Sequence, residues 1–254
     1  MGKTIKTGFI TAIINGIKVI TTLKCNPDNY NNKTSRKITF IVNHYTGNKK
    51  DIAKANANYF TSPNREASAH FFVDDTDIYQ SVELRDIAWH CGTDGKYYHN
   101  TCRNSNSIGI ENCCTAGNYR ISDKTLENSA YLNAYLCKEL GIKTKDVDKR
   151  VLRHYDITHK ICPAQMVSEP KEWKAFKQMI KNILNGNNID GIIEPYLAKI
   201  TSNTNVRVEA DKKSKVSTKV KKNEVFTIVD EKDGWGKLKS GAGWVYLKRT
   251  KKIK

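Results

Sequence analysis

Nowhere in its 254 residues does this chain hold the ~18 to 20 uninterrupted apolar residues that span a bilayer, so a soluble chain without membrane insertion is expected. No export signal is expected either. Two lysines precede the apolar stretch from Phe9 to Val19, but Asn15, Gly16 and Lys18 interrupt it and no small-x-small cleavage site follows. Lys6 stands where a myristoylation signal needs Ser or Thr. An even cysteine count is lacking too: seven (25, 91, 102, 113, 114, 137, 162) exclude a complete disulfide framework within one chain and suit a reducing cytosol, with at least one thiol free. Acidic residues are scarce, 26 against 43 Lys and Arg, and the net charge of +17 implies an anionic partner. The excess is densest after Gly191. No basic run is interleaved with aromatics and no nucleic-acid motif appears, so nucleic acid is not the expected partner. Internal repeats and low-complexity tracts are absent.

The elements present alternate between strand and helix. Phe9 to Ile14 and Ile17 to Thr22 are β-rich and flank Asn15-Gly16, a dipeptide suited to a type I′ turn. Ile38 to Asn43 reads as a buried strand with His44 at its end, and Asp51 to Phe60 as a helix. Ala69 to Val73 and Ile78 to Val82 form a second hairpin around the acidic turn 74–77. Ser107 to Asn112 is a strand, Ser122 caps a helix ended by Gly141, Val151 to Arg153 is a brief strand, and Pro170 opens a helix that runs to Leu184. This pattern predicts an α/β domain, a mixed central sheet flanked by helices, over residues 1–184. A linker over 185–199 follows. From residue 200 to 254 short alternating strands separated by turn signals predict a small all-β barrel.

Chemistry concentrates in His44, His154 and Cys162. Two imidazoles and a thiolate are a set that zinc accepts tetrahedrally, leaving the fourth position to water, whose pKa the metal lowers to about 7. Their wide separation in sequence makes spacing alone a weak signal. No Cys-x-x-Cys spacing supports a second, structural zinc. Glu111 alternates with Ile108 and Ile110 and shares a face with Gly109, away from the apolar side; the competing structural role is an exposed Glu on an edge strand. Lys160, two residues before Cys162, is close enough to meet a carbonyl gaining negative charge, or is one more solvated lysine.

The ordered motifs Val42-Asn43-His44-Tyr45-Thr46-Gly47, Ser68-Ala69-His70-Phe71, Ala88-Trp89-His90-Cys91-Gly92, Ser107-Ile108-Gly109-Ile110-Glu111 and His154 with Lys160 and Cys162-Pro163 resemble the N-acetylmuramoyl-L-alanine amidases of phage-lysozyme and peptidoglycan-recognition type. The resemblance implies a zinc amidase fold, Zn2+ held by His44, His154 and Cys162, Glu111 as acid/base and Lys160 as oxyanion partner. One branch of the family uses a Tyr where this chain has Ala69, which leaves proton transfer to Glu111. His90 and Tyr45 are implied to contact the muramyl peptide, Cys91 to pack, and His70 to be a hydrogen-bonded strand residue rather than a fourth ligand.

In the tail, Asn205-Val206-Arg207-Val208, Asp233-Gly234-Trp235-Gly236-Lys237-Leu238 and Gly241-Ala242-Gly243-Trp244-Val245-Tyr246-Leu247 resemble bacterial SH3-like wall-binding modules. Trp244 reads as core. Trp235, between two glycines, reads as an exposed ligand platform, with lysines around it for anionic wall polymers. The expectation is an endolysin-like hydrolase that cuts between N-acetylmuramic acid and L-alanine of peptidoglycan, held in a host bacterial cytoplasm until released to the wall. The alternatives are a non-catalytic peptidoglycan-recognition protein, to which the intact trio is opposed, and a host autolysin of the same activity.

Overall fold

The computed structural model describes residues 2–92, 95–186, 196–232 and 234–253. Two compact units divide the chain, Met1–Thr11 with Ile17–Asn187 and Ala12–Gly16 with Asn188–Lys254.

After the two-residue strand β1 (Ile13–Ile14), the first unit is organised by a mixed sheet of β2 (Ile17–Ile20), β3 (Phe40–Tyr45), β4 (Phe71–Val73), β5 (Ile78–Gln80), β6 (Ser107–Asn112) and β7 (Val151–Arg153), in the spatial order β7-β3-β6-β4-β5-β2. Strands β7, β3, β6 and β4 run parallel, and β4 and β5 form the expected antiparallel hairpin. Asn15 and Gly16 both take positive φ, as the turn between β1 and β2 requires. Ile41, Val42, Ile108 and Ile110 are wholly buried, the continuous apolar run of strands covered on both faces. Helix α1 (Ala53–Tyr59) packs on β4 and β5; α2 (Asp123–Leu140) packs on β4 and β6; α3 is the single turn Tyr155–Thr158; and α4 (Pro170–Leu184) backs α2.

The acidic turn of the β4–β5 hairpin fixes two of these helices. Asp74 Oδ1 accepts from the backbone of Thr76 (2.8 Å) and Asp77 (2.7 Å), while its Oδ2 accepts from the Ala53 N–H at 2.7 Å, capping α1, which has no side-chain cap of its own. Asp75 accepts from the hydroxyls of Ser122 and Thr125 at the start of α2, where Ser122 is the N-cap. A reciprocal amide pair, Asn43 to Asn133 at 3.0 and 2.9 Å, ties α2 to β3 immediately before His44.

The second unit is a seven-stranded, wholly antiparallel sheet: β8 (Tyr196–Ile200), β9 (Thr204–Arg207), β10 (Val216–Val220), β11 (Val225–Lys232), β12 (Trp235–Leu238), β13 (Trp244–Tyr246) and β14 (Thr250–Ile253), ordered β10-β9-β13-β12-β11-β8-β14. Ala198, Ile200, Val206, Ile228, Leu238 and Val245 form its core. Strand β8 begins inside the span expected as linker, of which residues 187–195 lie outside the described residues; Ala198 and Ile200 face inward with Leu197 and Lys199 out, a period of two too short to stand out in sequence. β14 is missed in sequence because it is mostly lysine and threonine.

Trp235 corrects the sequence reading. It is 5% exposed, packed at 5.2 Å against Tyr246, its neighbour across the strands, and therefore offers no open platform. The adjacent glycine has another cause: a Cβ on Gly236 would lie 2.7 Å from Leu247 and 3.0 Å from Ile228, so it makes room for core side chains. Trp244 is buried as expected. Gly243, at φ +123° with a virtual Cβ 2.2 Å from the Arg207 carbonyl oxygen, is irreplaceable on both counts. Gly243→Ala is expected to destabilise this unit by about 3 kcal/mol or more, read by thermal unfolding; an unchanged transition would contradict the packing described.

Candidate active site

Parallel strands end at one edge of a sheet and so deliver their last side chains to one place. His44 is the penultimate residue of β3, within the strand rather than after it; Glu111 lies in register beside it on β6; His154 follows β7 directly. The loop after α3 folds back to bring in Cys162, held by Tyr155 N–H to the Cys162 carbonyl (3.0 Å) and Cys162 N–H to the Lys160 carbonyl (2.7 Å). These residues open onto a cleft of about 1170 Å³.

The ligand-type atoms of His44, His154 and Cys162 all lie within 4.8 Å of one another, and all three residues are buried. His44 Nδ1 is 3.8 Å from Cys162 Sγ. A zinc ion at its usual bond lengths sets tetrahedral N and S ligands about 3.6 Å apart, so this spacing fits. His154 Nε2 is 2.9 Å from the Gly92 carbonyl oxygen, which can only accept; the proton therefore sits on Nε2 and Nδ1 is left as a lone pair. Burial, reinforced by neighbouring positive groups, holds the His44 imidazole neutral, and burial does the same for His154. Burial also pushes the Cys162 thiol up, with the Glu111 carboxylate adding to it. Neutral imidazoles are the ligating form, and a thiol raised in this way gives up its proton only to a cation. The donor set thus fits a divalent metal.

Glu111 is half-buried on the central strand β6, not on an edge, and its Oε2 is shielded from solvent with no hydrogen-bond partner among the described residues. Burial pushes its carboxyl up to about 8; Lys160 opposes this and Asp51 adds to it. The sign of the linkage is fixed. At pH 4 the group is protonated folded and largely so unfolded, whereas above about 4.5 the unfolded chain gains ionisation that the folded chain resists until about pH 8, so folded stability falls across that window. Metal-free Glu111→Gln is therefore expected to be more stable than the wild type at pH 8 by a few kcal/mol, since each tenfold difference in proton affinity is worth about 1.4 kcal/mol, and nearly equal to it at pH 4. Melting curves at the two pH values check this; equal stability at pH 8 would contradict it.

The remaining expected residues sort clearly. Lys160 is exposed and lines the cleft with Tyr45 and Ala69, so no tyrosine occupies the alternative acid/base position. His70 is fully buried immediately before β4 and hydrogen-bonded as expected: its Nδ1 lies 3.0 Å from the Gly109 N–H, and its Nε2 lies 2.6 Å from Arg36 Nη2 and 3.2 Å from the Asp86 carbonyl oxygen. His159, close to Cys162 in sequence, stacks on Tyr98 with ring centroids 3.6 Å apart and is not in the trio. Cys91 is buried. His90 lines the cleft but is only 6% exposed and lies against His44. Sequence reasoning passed over Arg36, buried and donating to the carbonyls of Leu84 (2.8 Å), Asn104 (3.1 Å) and Ser107 (2.7 Å), since nothing in sequence separates it from the other basic residues.

Fold and site together place a clustered His, His and Cys beside a carboxyl group at the carboxyl edge of parallel strands. The chain belongs to the N-acetylmuramoyl-L-alanine amidase family, which matches residues 34–165, just over half of it; residues 202–249 match the bacterial SH3 domain. It is 31% identical over 152 residues to the N-acetylmuramoyl-L-alanine amidase CwlL of Bacillus licheniformis (57% of this chain, 41% of that protein). With the amidase BlyA of Bacillus subtilis it shares 33% over 159 residues (58% and 42%). The chain thus spans less than half the length of these curated relatives. Among solved structures, the catalytic domain of XlyA superposes with a TM-score of 0.53 at 30% identity, over 65% of this chain and 99% of that one. The solution structure of the PlyG catalytic domain gives 0.53 at 27%, over 65% and 94%.

Proposed function

We propose that this protein hydrolyses the amide joining the lactyl group of N-acetylmuramic acid to L-alanine in bacterial peptidoglycan, with zinc held by His44, His154 and Cys162. The observation that carries this reading is the buried trio within 4.8 Å, lining the same cleft as Glu111, in a chain of this family. Zinc held there supplies Lewis-acid polarisation of the substrate carbonyl and acidifies water. The Glu111 carboxylate, at the cleft wall, takes the proton of the attacking water and returns it to the departing nitrogen of L-alanine. The Lys160 ammonium, at the cleft wall, stabilises the negative charge that develops on the carbonyl oxygen. The products are a glycan with a free lactyl carboxylate and a stem peptide with a free amine.

The second unit, with its surplus of lysine, holds the enzyme to the wall and to anionic wall polymers by long-range attraction. Zymography on purified wall tests the whole: clearing that disappears with a chelator and returns with zinc is expected, whereas binding to the wall without clearing would leave a recognition protein.

A further inference from the structure

We infer that His90 and Ser107 are positioning residues that fix the tautomer of His44 and thereby aim its Nδ1 at the metal position; this rests on the metal reading of the trio. The Arg103 carbonyl oxygen can only accept, and Ser107 Oγ lies 2.7 Å from it, so the hydroxyl proton of Ser107 is committed there. Ser107 Oγ is then an acceptor toward His90 Nε2 at 3.2 Å, with Cys91 Sγ further off at 3.8 Å. In the tautomer with its proton on His90 Nε2, Nδ1 is a lone pair, and it faces His44 Nε2 at 3.1 Å. His44 therefore donates from Nε2, and its Nδ1, the atom 3.8 Å from Cys162 Sγ, is free to ligate. Cys91 Sγ also lies 3.2 Å from His90 Nδ1, and in its thiol form it faces the same lone pair.

The strand beneath explains why this arrangement fits. Ser107, Gly109 and Glu111 alternate along β6 and so project to one face. Ser107 accepts from His90, Glu111 enters the cleft, and Gly109 between them leaves room for the ring: a Cβ there would lie 2.5 Å from His90 Cγ. Each alternate residue of Ser-Ile-Gly-Ile-Glu thus serves the centre. The substrate contact expected of His90 gives way to this role, because both its nitrogens are engaged inside the protein.

Two substitutions of His90 separate orientation from volume. In asparagine the amide oxygen occupies the δ position, so His90→Asn retains an acceptor for His44; in glutamine the amide lies one atom further out, so His90→Gln keeps contact with Ser107 and loses that acceptor. Zinc affinity of the full chain, measured by competition with a chromophoric chelator, is expected within about threefold of wild type for His90→Asn and about 10- to 100-fold weaker for His90→Gln, with Ser107→Ala weakened about tenfold. Equal affinities for Asn and Gln, or tighter binding by the bulkier Gln, would overturn the inference. Nitrogen-15 spectra of the metal-free wild type test it without any variant: a proton on His44 Nε2 is expected, and a proton on Nδ1 overturns it. A wild type that takes up no zinc defeats the trio itself; a wild type that binds zinc while the His90 variants bind equally well defeats only the role of His90.

Discussion

Cys162→Ala is expected to purify without zinc and to leave wall uncleared. Cys162 is the sole sulfur of the trio and the group whose burial demands a cation before it can ionise, so its removal strips both the softest ligand and the negative charge that offsets the metal. Two neutral imidazoles alone hold zinc weakly. Metal analysis after dialysis is expected to find about one zinc per wild-type chain and close to none in the variant. Because Cys162 packs at the end of a loop stitched to Tyr155 and Lys160, the fold survives the loss of one thiol, and circular dichroism is expected to be unchanged. Zinc retained at the wild-type level in Cys162→Ala would refute the ligand set. Zinc uptake by the wild type should also release a proton as the raised thiol ionises, which calorimetry in buffers of different ionisation enthalpy reads directly.

Glu111→Gln is expected to keep its zinc and lose wall hydrolysis by about 10²- to 10⁴-fold, the usual contribution of a positioned general acid/base. Gln is isosteric and neutral, so packing on the central strand is preserved while the proton acceptor is gone. The loss should fall on kcat, since the carboxylate acts on the water and the leaving nitrogen and not on distant parts of the substrate. Ala69 at the cleft wall removes the tyrosine that would otherwise share the task. Activity within threefold of wild type in Glu111→Gln would assign proton transfer elsewhere.

Much of this was legible in sequence, unevenly. Helix α2 declared itself through Ser122 and Gly141, and β6 appeared with its observed limits, because both carry strong local signals. The trio was legible only through the ordered motifs around it; three residues 118 positions apart at the extremes meet because β3 and β7 lie in parallel, and no local pattern encodes that. Trp235 misled because a tryptophan between glycines reads as open surface, while the second glycine exists to admit Leu247 and Ile228 into the core. His90 lines the cleft, and its contacts to Ser107 and His44 were not legible, because which way an imidazole points depends on buried partners that a sequence does not locate. Arg36 and the Asn43–Asn133 pair are further polar groups whose meaning exists only once their buried partners are known.

The most direct test of the proposed activity is chemical analysis of purified peptidoglycan after digestion by the full chain. Cleavage at the lactyl amide frees the α-amino group of L-alanine and produces no new reducing sugar, so N-terminal alanine is expected to rise with time, to stop on addition of a chelator and to resume with zinc. New reducing ends, new amino groups on any other residue, or release of alanine amines undiminished by the chelator would contradict it.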